Sequence, residues 1–442
     1  MSLSRLLIGL PLLGLLWLYP AIAGATEIQR VRSPGGITAW LVREPTIPLI
    51  SVSFSFAGGA TLDDPRRKGT ANMVSGLLDE GAGGLDSLAF QTRLEELAVR
   101  LSFDADRDSF TGGLRTLTEN RDAAFDLLRL ALTKPRFDGV AVERIRRQII
   151  TGLKEDQENP NAVVGRTWFA MAFKDHPYAL PTRGSQDSVA AITADDLRSF
   201  VASALARDRL TIGVVGDIGA AELAPLLDAT FGGLPESTER TMIGETAPVT
   251  DAGLKVVEME IPQSRVMFGA AGLKRDDPDW YAAYVLNYVL GGGGFASRLY
   301  DEVREKRGLA YSVYSYLYPL DHAGIHLGGV GTQNGRVAEA LTVIRQQFAK
   351  ARDEGINADE LANAKTFLNG SFPLRLTSSG RIARLLVAIQ RENLGIDYFD
   401  RRPELINAVT LADVKRVAKR LLRPEKMLVV VVGKPVGLEA GE

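Results

Sequence analysis

Ser51-Val-Ser-Phe-Ser-Phe56 leads to Asp63-Asp64-Pro65, and the same order returns later as Arg265-Val-Met-Phe268 leading to Asp276-Asp277-Pro278. Two more pairs keep the register. Gly112-Gly113 followed by Thr118-Glu119-Asn120 matches Gly328-Gly329 followed by Thr332-Gln333-Asn334. Thr193-Ala-Asp-Asp-Leu197 before Leu210-Thr-Ile-Gly-Val-Val-Gly216 matches Thr410-Leu-Ala-Asp-Val414 before Met427-Leu-Val-Val-Val-Val-Gly433. The offset stays at about 213 to 217 residues, so the chain reads as one domain written twice. The stretch 235–253, rich in Pro, Ser, Thr, Glu and Gly and without apolar period, reads as the linker. The expected division is 26–234, 235–253 and 254–442.

Each half mixes strands and helices. Residues 49–56 carry the β-branched alternation of a strand. Residues 70–78, 87–98, 121–132, 140–154 and 195–204 carry helical spacing, the last with Thr193 or Ala194–Asp195 near its cap. A β-rich run is expected to close the first half. Strands and helices do not alternate strictly, so the fold class is α+β: in each domain a β-sheet covered by helices.

Composition removes several function classes. The net charge of −2 over 442 residues argues against nucleic-acid or anionic-membrane binding. With no cysteine there is no disulfide, no Cys-held zinc and no thiol nucleophile. No Gly-x-Ser-x-Gly elbow occurs. At the start, Arg5, an apolar run over 6–18, Pro20 and small residues around Ala23 and Ala25 read as an export signal over 1–25. The run falls short of the roughly 20 residues that a spanning helix needs. A membrane anchor is the alternative; a cleaved signal and a periplasmic address are expected.

The segment Gly69-Thr-Ala-Asn-Met-Val-Ser-Gly-Leu-Leu-Asp-Glu-Gly-Ala82 closely resembles the zinc-binding helix of the M16 (insulinase and processing-peptidase) family. There, His-x-x-Glu-His follows a Gly-x-Ala lead-in. Two histidines one turn apart hold zinc, and the glutamate between them activates water. A second glutamate, about 76 residues beyond the second histidine, completes the ligands. The resemblance assigns these four positions to Asn72, Ser75, Gly76 and Gly152. The ungapped match from Glu143-Arg144 to Pro160 independently gives Gly152. It implies two M16-type domains of the processing-peptidase metallohydrolase fold, packed face to face or linked like a clam, with a degenerate zinc site in the first. No metal is expected in this chain. Of the three histidines, His322 and His326 sit about 13 Å apart if the segment is a strand, and His176 precedes a proline in a loop.

The second half tells a different story. Leu290-Gly-Gly-Gly-Gly-Phe-Ala-Ser-Arg-Leu-Tyr-Asp-Glu-Val-Arg-Glu-Lys-Arg-Gly-Leu-Ala-Tyr-Ser-Val313 resembles the family's C-terminal segment. There an arginine and a tyrosine seven residues apart reach across a closed chamber to bind substrate and stabilise the tetrahedral intermediate. The matching residues are Arg304 and Tyr311; Arg307 is a rival at the wrong spacing. A guanidinium can grip a carbonyl or carboxylate, and a phenol can donate to an oxyanion. By spacing alone, Arg304 reads as a solvated helix residue and Tyr311 as sheet packing. Gly291, Gly292, Gly293, Gly294 and Phe295 resemble the substrate-contacting glycine loop of the non-catalytic processing-peptidase subunit. Read without that resemblance, they are a flexible turn between helices.

The resemblance therefore implies a zinc-free subunit of a heterodimer. A related partner with intact His-x-x-Glu-His would carry the zinc, and peptides would be the substrates. The alternative is an assembly or peptide-binding protein of the same fold with no role in catalysis.

Overall fold

The computed structural model describes residues 27–239, 241–249 and 253–438; the export signal expected over 1–25 lies outside them. Among the described residues no helix is long and apolar enough to cross a membrane.

The two halves repeat one topology. The first sheet contains β1 (Gln29–Arg32), β2 (Thr38–Arg43), β3 (Leu49–Ala57), β4 (Arg100–Ala105), β5 (Ser109–Leu117) and β6 (Leu210–Gly216), in the order β1-β2-β6-β3-β5-β4. The second contains β7 (Leu254–Val257), β8 (Gln263–Ala271), β9 (Ala310–Pro319), β10 (Gly324–Gln333) and β11 (Leu428–Val432), in the order β7-β11-β8-β10-β9. With β1 removed the orders coincide, and in both sheets the one parallel pair is the same, β2 with β6 and β7 with β11.

The correspondence extends to atoms. Phe54 lies opposite Gly112 and Phe268 opposite Gly328. A β-carbon on either glycine would fall 2.2 Å from the ring facing it, so each glycine is the space its phenylalanine fills. The Thr193 hydroxyl and the Asp196 backbone and carboxylate form a reciprocal capping box, repeated by Thr410 and Asp413. The Asp63 carboxylate accepts from Gly69 N at 2.8 Å and Ala71 N at 2.9 Å, capping the helix Thr70–Ser75.

One face of each sheet is buried under its own half's helices. The other face receives a helix from the opposite half. Pro160–Ala172 crosses onto the second sheet, burying Trp168 and Phe173 against Ile325, Leu327, Leu428 and Val430, with Trp168 Nε1 donating to Leu428 O at 3.1 Å. Ser379–Arg391 crosses onto the first, burying Leu386 and Ile389 against Trp40, Val42 and Val215, with Gln390 Nε2 donating to Ile212 O at 3.0 Å. A third tie joins loops: Tyr178 Oη donates to Asp108 at 2.8 Å and accepts from His322 N at 3.0 Å. The two halves are interlocked by this exchange of helices.

Two sequence expectations need correction. Regular helix from Thr70 stops at Ser75 rather than continuing to residue 78, because the backbone passes into turns at Gly76. The first half closes on the helix Ala220–Phe231, not on a β-rich run; Pro225 inside that helix masks a buried face of Leu223, Leu227 and Phe231. Within the expected linker, described residues are tied to both halves: Arg207 N donates to Pro235 O, Thr246 N to His322 O and Val249 N to Ala172 O.

Candidate functional site

The four degenerate positions come from two helices, Thr70–Ser75 and Gly139–Glu158, that pack together. Gly76 faces Ile145, whose Cγ2 would be 3.3 Å from a β-carbon there. The Ser75 hydroxyl is committed to Asn72 O at 2.8 Å. At Gly152 a β-carbon would lie 2.6 Å from Arg183 Nη2, and Arg183 is itself held by Asp156 at 2.6 Å. One amide, one engaged hydroxyl, two glycines and an adjoining guanidinium do not fit a zinc ion, which needs imidazole, thiolate or carboxylate donors. Among the described residues no group of three His, Cys, Asp or Glu side chains could hold a metal.

The histidines sit elsewhere. His326 is buried in β10, bonded to Asn287 Oδ1 at 3.0 Å and stacked on Phe348, and burial pushes it down to about 4. His176 contacts Gly244 O at 3.0 Å, and its ring is 6.4 Å from that of His322 in the loop tie described above.

The second-half residues converge. The turn Tyr300–Glu305 is wound wide, with Lys306 N donating to Asp301 O at 2.9 Å across five residues, a form often found at functional sites. Arg298 fastens it to Glu360 by two bonds of 2.6 Å. From that base Arg304 projects among three rings: its Cζ is 4.7 Å from the Tyr300 centroid, 4.8 Å from Tyr311 and 6.0 Å from Phe295. Arg307 is turned the other way, to Glu302 at 2.5 Å, so it is Arg304 that meets Tyr311.

Tyr311 reaches this position through a break in the ladder. Ser312 pairs with Gly331 but Ala310 pairs with Thr332, leaving Tyr311 as the extra residue of a β-bulge in edge strand β9. Bulges re-aim a side chain without ending the strand. Here Ala310 and Val313 stay buried while Tyr311 is 78% exposed, beside a guanidinium that its ring helps hold by cation–π attraction.

The glycine run divides. Gly291 is buried, and a β-carbon there would fall 2.4 Å from Ser315 Oγ; it belongs to packing against β9 and not to a peptide-contacting loop. Gly292 and Gly294 are exposed, Gly294 at φ +57°, and Phe295 is 81% exposed over the Tyr300 ring. The run is a hydrogen-bonded turn, with Gly293 N donating to Tyr288 O at 2.8 Å, rather than a slack joint. Sequence reasoning missed Tyr300, whose spacing of four residues from Arg304 was the available signal. It also missed Arg183, which nothing local in the sequence connects to Gly152.

The chain matches two family descriptions: Insulinase (Peptidase family M16) over residues 39–186 and Peptidase M16 inactive domain over residues 191–368. It is 28% identical to the "non-peptidase homolog YmxG" of Helicobacter pylori, across 74% of this chain and 76% of that one. It is 25% identical to an "uncharacterized zinc protease" of Streptomyces coelicolor, across 92% and 90%. Among solved structures, a "peptidase M16 inactive domain" from Pseudomonas fluorescens superposes with a TM-score of 0.87 at 28% identity, covering 94% of this chain and all of that one. A protease from Helicobacter pylori at 20% identity shares the fold, with a TM-score of 0.83 over 92% of this chain. With its repeated α+β topology and both family matches in sequence order, the chain belongs to the M16 peptidase family.

Proposed function

We propose that this chain is a non-catalytic M16 subunit that completes the active site of a zinc-bearing partner. The observation that carries the reading is an asymmetry within one chain. The zinc positions are held by Asn72, Ser75, Gly76 and Gly152, while Arg304, on the turn Tyr300–Glu305, meets Tyr311, which a β-bulge leaves exposed. The partner, a related chain with His-x-x-Glu-His, supplies the metal and the activated water. This chain supplies the guanidinium for a peptide carbonyl or carboxylate, the phenol for the developing oxyanion, and Gly292, Gly294 and Phe295 as an exposed wall. Extended peptides enter by adding a strand to an open sheet edge. Export to the periplasm belongs to the same proposal.

Reconstitution tests it: this chain alone, the partner alone and the mixture, each given unstructured peptides. Hydrolysis by the mixture only is the expected result. Full hydrolysis by the partner alone would leave this chain the role of an assembly or peptide-binding protein without catalysis.

A further inference from the structure

A wide cleft lies far in sequence from Arg304. About 1430 Å³ in volume, it opens on the face of the first sheet that Ser379–Arg391 only partly covers. Its floor is a regular array set by register. Ser51 is opposite Arg115, which is opposite Arg100. Ser53, Gly113 and Ser102 form the next row, and Ser55, Thr111 and Asp104 the third. The rows run from the centre of the sheet to edge strand β4.

Three features of the first row have no internal explanation. Arg100 and Arg115 are exposed cations directly opposite each other, an arrangement that destabilises a strand pair; among the described residues neither has an ion-pair partner. Ser51 is 3% exposed, yet its hydroxyl makes no hydrogen bond, and it lines the cleft. The N-terminus of Ser379–Arg391 meets that hydroxyl: a β-carbon on Gly380 would sit 4.0 Å from Ser51 Oγ and 3.8 Å from Arg384 Nη1. The cap residue Ser378 makes no side-chain capping bond, and its carbonyl takes the N–H groups of Arg381 and Ile382; among the described residues those of Ser379 and Gly380 have no backbone partner. Free helix-terminal N–H groups, an unfilled buried hydroxyl and, along the same cross-strand row, two guanidinium groups without ion-pair partners are the components of an anion site.

We propose that the Ser51, Arg115 and Arg100 row, with the N-terminus of Ser379–Arg391, binds a carboxylate of an extended peptide lying along the cleft. The cleft exceeds the roughly 300–1,000 Å³ of small-ligand pockets, so a single small anion does not account for it. Its far row ends in Asp104, about 13 Å away along the strand. That sign change suits a chain with a carboxylate at one end and a cationic or amino group at the other. The carboxylate is a Glu or Asp side chain or the peptide's own C-terminus. The inference rests on the reading that this chain handles peptides, but its test needs neither partner nor turnover.

The experiment is fluorescence anisotropy on the purified chain alone, with three labelled ten-residue peptides. One has two glutamates and an amidated end, one has no acidic residue and a free C-terminus, and one is neutral and amidated. At least one carboxylate-bearing peptide is expected to bind about tenfold more tightly than the neutral one, losing that margin in salt. Which of the two binds identifies the source of the carboxylate. Both arginines are exposed, so R100S/R115S leaves the fold intact, as circular dichroism checks, and is expected to abolish the margin; S51A narrows it. Equal binding of all three peptides, or a margin unchanged in R100S/R115S, overturns the site. Inorganic phosphate competing at the same concentration as peptide overturns the peptide assignment. Loss of hydrolysis in the reconstituted mixture with this margin intact counts against the subunit reading and not against the site.

Discussion

The guanidinium carbon of Arg304 lies 4.8 Å from the centroid of the Tyr311 ring, and the ring reaches it because Tyr311 is the unpaired residue of a β-bulge. The contact is reciprocal: the ring face attracts the guanidinium, and the guanidinium keeps positive potential beside the phenol. In the reconstituted mixture, Tyr311→Phe keeps the stacking and removes only the hydroxyl. It is expected to lower kcat about 100-fold, as loss of one oxyanion donor does, without changing assembly with the partner. Arg304→Lys fails to restore what Arg304→Ala loses, because an ammonium neither stacks nor binds bidentately. Steady-state kinetics alongside sedimentation of the mixture decides; full activity in Y311F removes the assigned role.

The degenerate zinc positions are blocked as well as vacated. Arg183 Nη2 occupies the space into which a side chain at 152 would grow. A cation about 4 Å from a metal opposes it by a few kcal/mol per unit charge at an effective dielectric of about 20. Restoring the ligands as N72H/S75E/G76H/G152E is therefore expected to give little zinc per chain, and adding R183A is expected to raise it towards one. Metal analysis after dialysis reads the difference. Equal zinc with and without Arg183 would show that the guanidinium swings away freely.

Much of the plan was legible in the sequence because it is written as repeats of short-range physics. Phe54 over Gly112 and Phe268 over Gly328 need only a strand pair each, and the Thr193 and Thr410 boxes need only four residues. The exchange of helices was not legible. Trp168 and Leu386 read locally as apolar helix residues, and nothing near them says that their sheets lie in the opposite half. The seven-residue spacing of Arg304 and Tyr311 was readable, but the bulge that brings the two side chains together depends on the register of β10. Gly291 looked like its neighbours Gly292 to Gly294; its burial against Ser315 and Leu299 separates it from them.

The exchanged helices make the two halves one folding unit. Trp168 is fully buried in the second sheet's cover, although it belongs to the first half of the chain. Trp168→Ala is expected to cost about 3–5 kcal/mol and to shift one cooperative unfolding transition rather than detach a domain. Urea titrations followed by fluorescence and circular dichroism test this. Two separated transitions in the parent protein would mean that the halves are independent.

Asp63 makes stability depend on pH in a direction opposite to that of a salt-bridged carboxylate. Burial, opposed by the N–H groups of Ala71 and Gly69 and by Lys68, pushes its carboxyl up to about 6 from 3.8. The folded state therefore holds this proton more tightly than the unfolded state. Between about 3.8 and 6 the native form binds more protons, so this group's contribution to stability falls as pH rises through that window and is constant above it. The interval corresponds to about 3 kcal/mol. Asp63→Asn cannot ionise and should remove that slope. It should also weaken the cap on Thr70–Ser75 by about 1 kcal/mol, since one of two acceptor oxygens becomes a donor. Unfolding free energies of both proteins at pH 4, 5, 6 and 7 compare the two. Parallel curves would mean that the Lys68 ammonium and the two N–H groups already offset the burial of Asp63.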